Sequence, residues 1–490
     1  CEKCVKKTIR KYYCRECRAG LDEMCDKHDA RSCRSYSRRK IDSKYYFNVA
    51  KNLLGYKDQD IPPLIKGVRG TSSEDRDFEN LAKGILRAKY NLAVNKDGTV
   101  RYDGTEIPLT HFKPKEVRTS VSRLRDLGYL KDIYGRDLAS EDQLLELRPH
   151  DIVLPSCPVT QDEKADDVFM NLANFVDEEL ERFYKMPRYY NLKSKEDLIG
   201  QLVVCIAPHN VAGVVGRIIG FSDLQGLVAS PYLHATMRRD CDGDEAAVML
   251  FMDVLLNFSR KFLPGHRGGR QDAPLVLNAR ISAGEVDDQI LTLETCDHYP
   301  LDVYRLAEKG ESSSKCEIDN VRRRLASGVD PFTNVGFTHD SSDFNLGVLN
   351  GAYKVLPTMK DKVRAQMELV SKIRAVDTED VARLIIERHF IRDIRGNLRK
   401  FSRQQFRCVV CNEKFRRPPL IGKCTKCGGK IIFTISEGSV RKYLEPAMDL
   451  AANYNIPPNT KEGMDLTKMY IESIFGKSTE EQVRLGEWVE

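Results

Sequence analysis

Two short segments near the middle of the chain are apolar almost without interruption, Leu202-Val-Val-Cys-Ile-Ala207 and Val214-Val-Gly-Arg-Ile-Ile219. Runs of this length, rich in β-branched residues, predict strands buried on both faces, since a strand with one wet face would alternate. A second pattern runs from Asp167 to Tyr184, where Val168, Leu172, Phe175 and Val176 share one face. That spacing predicts an amphipathic helix. Residues 286 to 400 look mostly helical by the same criterion, most clearly from Met359 to Ile373. Ala246 to Phe258 is apolar and reads as a helix. Between Tyr90 and Tyr102 the residues Leu92, Val94, Val100 and Tyr102 flank Asn95-Lys-Asp-Gly98, a turn sequence that predicts a hairpin. A charged helix is expected over Thr479 to Glu490. The chain shows no internal repeat and no low-complexity stretch.

The apolar elements bracket one polar interruption, Arg239-Asp-Cys-Asp-Gly-Asp-Glu245. An extended segment puts alternate side chains on one side, so Asp240, Asp242 and Asp244 are expected to converge. Converging carboxylates repel unless a hard cation lies between them, and Gly243 lets the backbone turn tightly around it. Arg238 and Arg239 precede the acids. A metal ringed by carboxylates and flanked by arginines suits a polyanion such as a nucleotide or a DNA end. A solvated acidic loop is the plain alternative, but this loop is embedded between core elements. A calcium-binding EF-hand loop is excluded: its glycine would come later than Gly243, and Phe251 stands where the closing glutamate belongs. His234, six residues before Asp240, and His209, beside Pro208 and Asn210, are candidates to face the site, or else structural histidines. Lys83 and Lys89 read as surface or phosphate-facing residues, with no catalytic role assigned.

The 15 cysteines fall into two groups. Cys157, Cys205, Cys241, Cys296 and Cys316 are scattered and read as buried free thiols. The others cluster at metal spacing. Cys408-x2-Cys411 and Cys424-x2-Cys427, twelve residues apart, supply the closed four-sulfur shell of a structural zinc ribbon, with Gly428-Gly429 permitting the second knuckle to turn. At the other end, Cys1-x2-Cys4 and Cys14-x2-Cys17 form one candidate site, favoured because the nine residues between the pairs are nearer to ribbon spacing. The alternative joins Cys14 and Cys17 to Cys25 and His28, and Cys33 is a further candidate.

The run Pro231-Tyr-Leu-His-Ala-Thr-Met-Arg-Arg-Asp-Cys-Asp-Gly-Asp-Glu245, continued by Leu255-Leu-Asn-Phe-Ser-Arg260, Arg267-Gly-Gly and Asp272-Ala-Pro-Leu-Val276, closely resembles the large, catalytic subunit of the archaeal family D DNA polymerase. Lys83-Gly-Ile-Leu-Arg-Ala-Lys89, Thr110-His-Phe-Lys-Pro114, Phe337-Thr-His-Asp340 and Arg395-Gly-Asn-Leu-Arg399 resemble the same family. The family's core is similar to that of multisubunit RNA polymerases, with two double-psi β-barrels and an Asp-x-Asp-Gly-Asp loop for magnesium. The resemblance implies Asp242 and Asp244 as catalytic metal ligands. Asp240 stands where the family pattern has Asn and is a candidate third ligand. The family's Arg-Pro-Glu-Lys motif, which brings a lysine to the metal loop, does not occur in this chain. The chain is therefore expected to be the C-terminal part of a longer subunit, or one half of a split one, inactive without its upstream part.

The expected fold is multidomain α+β: an N-terminal zinc-binding module over 1–40, a mixed accessory domain over 41–190, a catalytic double-psi barrel over 191–285, a mostly helical domain over 286–400, a zinc ribbon over 401–436 and a tail over 437–490. The expected activity is DNA-directed DNA polymerisation in replication, with two catalytic Mg2+ and about two structural Zn2+. His234, Arg238 and Arg239 are the candidate substrate or DNA contacts. Expected partners are primer-template DNA, deoxynucleoside triphosphates, a small exonuclease subunit and a sliding clamp, the last engaged near Met464 to Phe475. An RNA polymerase-like enzyme and a non-catalytic DNA-binding fragment are the alternatives. Composition narrows these choices little: 41% hydrophobic residues suffice for several cores, and a net charge of +6 does not by itself imply nucleic acid. Phosphate contact is the expected role of the basic runs Arg31 to Lys44 and Arg392 to Arg417. No run of eighteen apolar residues is present, so no membrane span is expected, and the expected location is cytoplasmic.

Overall fold

The computed structural model describes residues 12–14, 19–21, 33–35, 43–68, 79–160, 162–264, 267–281, 288–335, 342–351, 355–432 and 435–476 of 490. The chain forms two compact units, 1–351 and 352–490.

Six strands of the first unit close into a barrel: β1 (Tyr102–Pro108), β2 (Asp151–Pro155), β3 (Leu202–Ile206), β4 (Ala212–Ser222), β5 (Leu227–Ala229) and β6 (Glu245–Leu250). Around the barrel, β4 runs parallel to β2, β2 antiparallel to β5, and β5 parallel to β1. Antiparallel pairings of β1 with β6, β6 with β3 and β3 with β4 complete the circuit. Closure leaves no open edge on these six strands, and Val276–Asn278 adds a short parallel strand outside β4. Both faces of β3 and β6 are covered. Val203 and Cys205 join one apolar cluster with Val248, whereas Val204 and Ile206 join another with Ala247 and Met249. That double burial is why their sequences run apolar without alternation.

Several local expectations change. The segment expected as one helix over Ala246 to Phe258 is strand β6 followed by a shorter helix, Phe251–Asn257. A short apolar run fits either element, and here pairing with β1 and β3 selects the strand. The turn at Asn95–Gly98 forms, with Asn95 N–H donating to Thr99 O at 2.8 Å, but Leu92 and Val94 join no strand. Pairing begins at Tyr102, in β1. Strands β1 and β2 come from the region expected as an accessory domain, so the barrel extends well before residue 191. The helix expected over Asp167 to Tyr184 spans Ala165–Glu178 and continues as a π-turn over Glu179–Tyr184.

Beside the barrel lies a buried polar network. Arg87, fully buried, makes a two-pronged pair with Glu79 and donates to Gly98 O. Lys83 pairs with Glu179 at 2.9 Å and donates to Asn257 Oδ1 and Tyr184 Oη. Burial would push the Lys83 ammonium down, but Glu179 and Tyr184 more than offset it and hold it above its ordinary value. Asp253 accepts from Val100 N–H and Asn257. Two cations balance Glu79 and Glu179, and burial pushes the fifth group, Asp253, up to about 7.

The second unit is built on helices, including Met359–Val370, Thr378–Leu384, Ile391–Arg403, Leu444–Asn453 and Pro458–Phe475, with a three-stranded antiparallel sheet between the third and fourth. Val363, Met367, Ile386, Phe390, Leu450 and Met464 share its main core. In Pro458–Phe475, Met464 and Ile471 are buried, while Leu466, Met469 and Tyr470 are exposed. Thr479 to Glu490 lies outside the described residues. Among the described residues no helix is long and apolar enough to cross a membrane.

Candidate metal centre

The acidic loop connects a short helix to β6. Ser230 caps that helix, Pro231–Thr236, by accepting from Tyr232 N–H, and Pro231 occupies its first turn, where no amide donor is needed. The helix ends as Arg238 adopts φ 64° and Arg239 N–H returns to His234 O at 2.9 Å. The loop is not an extended strand. Cys241 at φ 65° and Gly243 at φ 102° both lie in the left-handed region, and these two reversals point Asp240, Asp242 and Asp244 at one place. Convergence was expected; its mechanism is a double turn, not strand alternation.

A fourth carboxylate joins them. Glu106 on β1 lies so that its ligand oxygen and those of Asp240, Asp242 and Asp244 all fall within 4.8 Å of one another. The loop is stitched to this residue: Glu106 N–H donates to Asp244 O at 2.8 Å, and Asp244 N–H donates to Glu106 Oε1 at 3.3 Å. Glu106 is 2% exposed, and its Oε2 has no hydrogen-bond partner. Burial raises its pKa, opposed by the Asp244 and Gly243 amides and reinforced by the Asp244 and Asp240 charges. Sequence reasoning missed Glu106. The available signal was alternation: Tyr102, Gly104 and Glu106 occupy the buried positions of β1, and a carboxylate there requires a partner.

His234 lies behind Glu106, not in front of the site. It is fully buried, with Nδ1 3.3 Å from Glu106 Oε2 and Nε2 3.3 Å from Ile107 O. Burial lowers its pKa to about 4, so the imidazole is neutral near pH 7 and the contact is not an ion pair. The expectation of a substrate-facing His234 is corrected accordingly. Arg239 is tied to the loop itself, donating to Asp244 Oδ2 at 2.7 Å, while Arg238 is exposed. His209 is also exposed, and its backbone amide bonds Asp272.

Lys83 is neither at the surface nor phosphate-facing, because Glu179 and Asn257 hold it in the buried network. Lys89 is partly exposed and paired with Glu178. Of the scattered cysteines, Cys157 and Cys205 are buried, but Cys241, Cys296 and Cys316 are half-buried. Cys241 lies amid the acids; burial and the charges of Glu106, Asp240 and Asp242 push its thiol up to about 12, so it remains protonated.

A second ligand cluster lies in the other unit. Cys408, Cys411, Cys424 and Cys427 place all four Sγ atoms within 4.8 Å, with Cys408–Cys427 at 3.4 Å and Cys411–Cys424 at 3.5 Å. Two equivalent turns make this shell. Asn412 N–H returns to Cys408 O and Gly428 N–H to Cys424 O, with both Asn412 and Gly428 left-handed. The site needs Gly429: a Cβ there would stand 2.8 Å from Cys408 Sγ. The side chains of Cys1, Cys4, Cys14, Cys17, Cys25, His28 and Cys33 lie outside the described residues. The backbone describes a small antiparallel sheet in which Cys14 stands opposite Cys33.

The model of the family "DNA polymerase II large subunit DP2, catalytic domain" matches residues 58–362. The DNA polymerase II large subunit of Archaeoglobus fulgidus is 45% identical over 491 aligned positions, which cover 100% of this chain and 42% of that protein. The protein of the same name from Pyrococcus furiosus is 45% identical over 458 positions, covering 93% of this chain and 35% of the relative. That from Nanoarchaeum equitans is 45% identical over 465, covering 92% and 37%. The chain spans less than half the length of these curated relatives.

Proposed function

The chain belongs to the family of the DNA polymerase II large subunit DP2 catalytic domain, and from that premise we propose that its barrel carries the acidic half of a DNA-templated nucleotidyl-transfer site. The observation that carries this reading is the set of four carboxylates within 4.8 Å, one of them buried with an oxygen that has no hydrogen-bond partner. Such an oxygen-only cluster fits a hard divalent cation such as magnesium. Asp242 and Asp244 would be its ligands, with Asp240 and Glu106 completing the shell. Divalent cations there, two in the proposed reaction, would acidify a primer 3′-hydroxyl and offset charge on an incoming triphosphate. Gly243 and Cys241 hold the aspartates in place, Arg239 tempers their mutual repulsion, and exposed Arg238 is the loop's candidate phosphate contact.

The six-stranded closed barrel supports assignment to the double-psi type. We assign the four cysteines a structural zinc ribbon, since four thiolates leave no open position for water. This chain is proposed as the C-terminal part of the subunit, the remainder supplying the lysine that faces the acids. A small exonuclease subunit and a sliding clamp are proposed partners. The exposed Leu466, Met469 and Tyr470 offer the clamp a surface, whereas buried Met464 and Ile471 serve the unit's own fold.

In the assembled enzyme, Asp242→Ala or Asp244→Ala should abolish primer extension while primer-template binding stays within a few-fold. Ordinary extension rates in either variant would overturn the assignment. Extension with ribonucleotides in preference to deoxynucleotides would favour the RNA polymerase-like alternative.

A further inference from the structure

Outside the metal centre, one surface carries charge that the fold does not use. The helix Ile391–Arg403 buries Ile391, Ile394 and Leu398 on one side. On the other, Arg392, Arg395, Arg399 and Arg403 fall within an arc of about 80°, with successive members 4.5–6 Å apart along the axis at about 1.5 Å per residue. All four are exposed, as is Lys400 beside them. Several cations elsewhere in this unit have acidic partners: Lys360 pairs with Glu445 and Asp449, Arg383 with Asp380 and Glu387, and Arg441 with Glu437. Among the described residues no acid pairs with any of the five helix cations.

A second observation lies in the same row. Gly396 sits within the helix, amid the arginines, where glycine is unfavourable relative to alanine. Its φ is not positive, and a Cβ added there would meet no heavy atom within 4 Å. Neither backbone conformation nor packing among the described residues calls for glycine. What remains is close approach by something beyond the described residues.

We infer that this helix is a docking rail for a nucleic-acid phosphodiester backbone, with Gly396 admitting the strand close to the helix and Arg392, Arg395, Arg399 and Arg403 pairing with successive phosphates. Guanidinium forks match phosphate oxygens two at a time, and a row one helical turn apart suits a regularly spaced polyanion better than an irregular acidic peptide. The choice of nucleic acid rests on the polymerase reading above; the surface itself is separate from the acidic loop.

The test is duplex binding by the full 490-residue chain, followed by anisotropy of a fluorescein-labelled DNA duplex in EDTA between about 50 and 200 mM salt. Arg395→Ala/Arg399→Ala should weaken binding several-fold and lower the slope of log K against log salt by about 1.8, or roughly 0.9 per phosphate contact. Arg395→Lys/Arg399→Lys should keep that slope. Gly396→Leu, which preserves every charge and improves helix propensity, should also weaken binding several-fold with an unchanged or higher Tm. Wild-type affinity and slope in both the alanine and the leucine variants would overturn the rail, as would their loss of binding to polyglutamate but not DNA. A wild-type chain that binds no duplex would overturn both the rail and the DNA reading. Unchanged variants beside an inactive Asp242→Ala enzyme would overturn the rail alone.

Discussion

The acidic loop and the four-cysteine cluster both gather ligands for a metal, and they differ in where the ligands come from. The cysteines lie between 408 and 427 and meet because two local turns repeat one backbone conformation. Little else holds that sheet, where Cys408 and Cys424 are the buried residues between 406 and 432. The acidic site draws Glu106 and Asp244 from positions 138 apart, and a closed barrel brings them together. On the proposed reading, a metal would be a structural component of the first site and a passenger in the second. Local ligands can be ordered by the metal they bind, whereas distant ligands must be ordered by the fold before any metal arrives.

The largest expected effect separates the two directly. Exhaustive chelation of the full chain, or Cys424→Ser, should remove amide exchange protection across 406–432 while strands 202–206 and 245–250 keep theirs. Zinc binding of this kind is coupled to folding by on the order of 10 kcal/mol, more than so small a sheet could replace. Retained protection in the chelated sheet would break the comparison. Next in size, Glu106→Ala should lower Mn2+ affinity by roughly 10–100-fold, measured by titration calorimetry, with the far-UV spectrum unchanged. Wild-type affinity would remove Glu106 from the site.

A third test probes the scaffold. Asp253 has an ordinary value of 3.8 and is pushed up to about 7 in the fold, so between these values the folded state binds more protons than the unfolded one. Stability should therefore fall as pH rises from about 4 to about 7 and level off above, and Asp253→Asn should flatten that slope. Denaturation midpoints across this range supply the measurement; equal slopes in the two proteins would contradict the buried charge balance. The smallest expected effect is that of Asp240→Asn in the assembled enzyme, with extension within a few-fold of wild type. Complete loss would make Asp240 an indispensable third ligand.

The sequence by itself determined the elements whose cause is local. The spacing of Cys408, Cys411, Cys424 and Cys427 dictates a four-sulfur shell, and the acidic loop announces itself by charge density between apolar runs. The doubly buried strand β3 was legible for the same reason, because its patterning reflects immediate surroundings. Tertiary structure decided the rest. Ala246 to Leu250 becomes a strand because β1 and β3 offer it hydrogen bonds that a short apolar run cannot reveal. His234, six residues from the loop, is turned inward, and Lys83 is consumed by Glu179 from a π-turn ninety-six residues away. Glu106 enters the site because barrel closure sets β1 beside β6 in the register Thr105 to Glu245. Pairing register is a property of two distant strands at once, and no single stretch of sequence carries it.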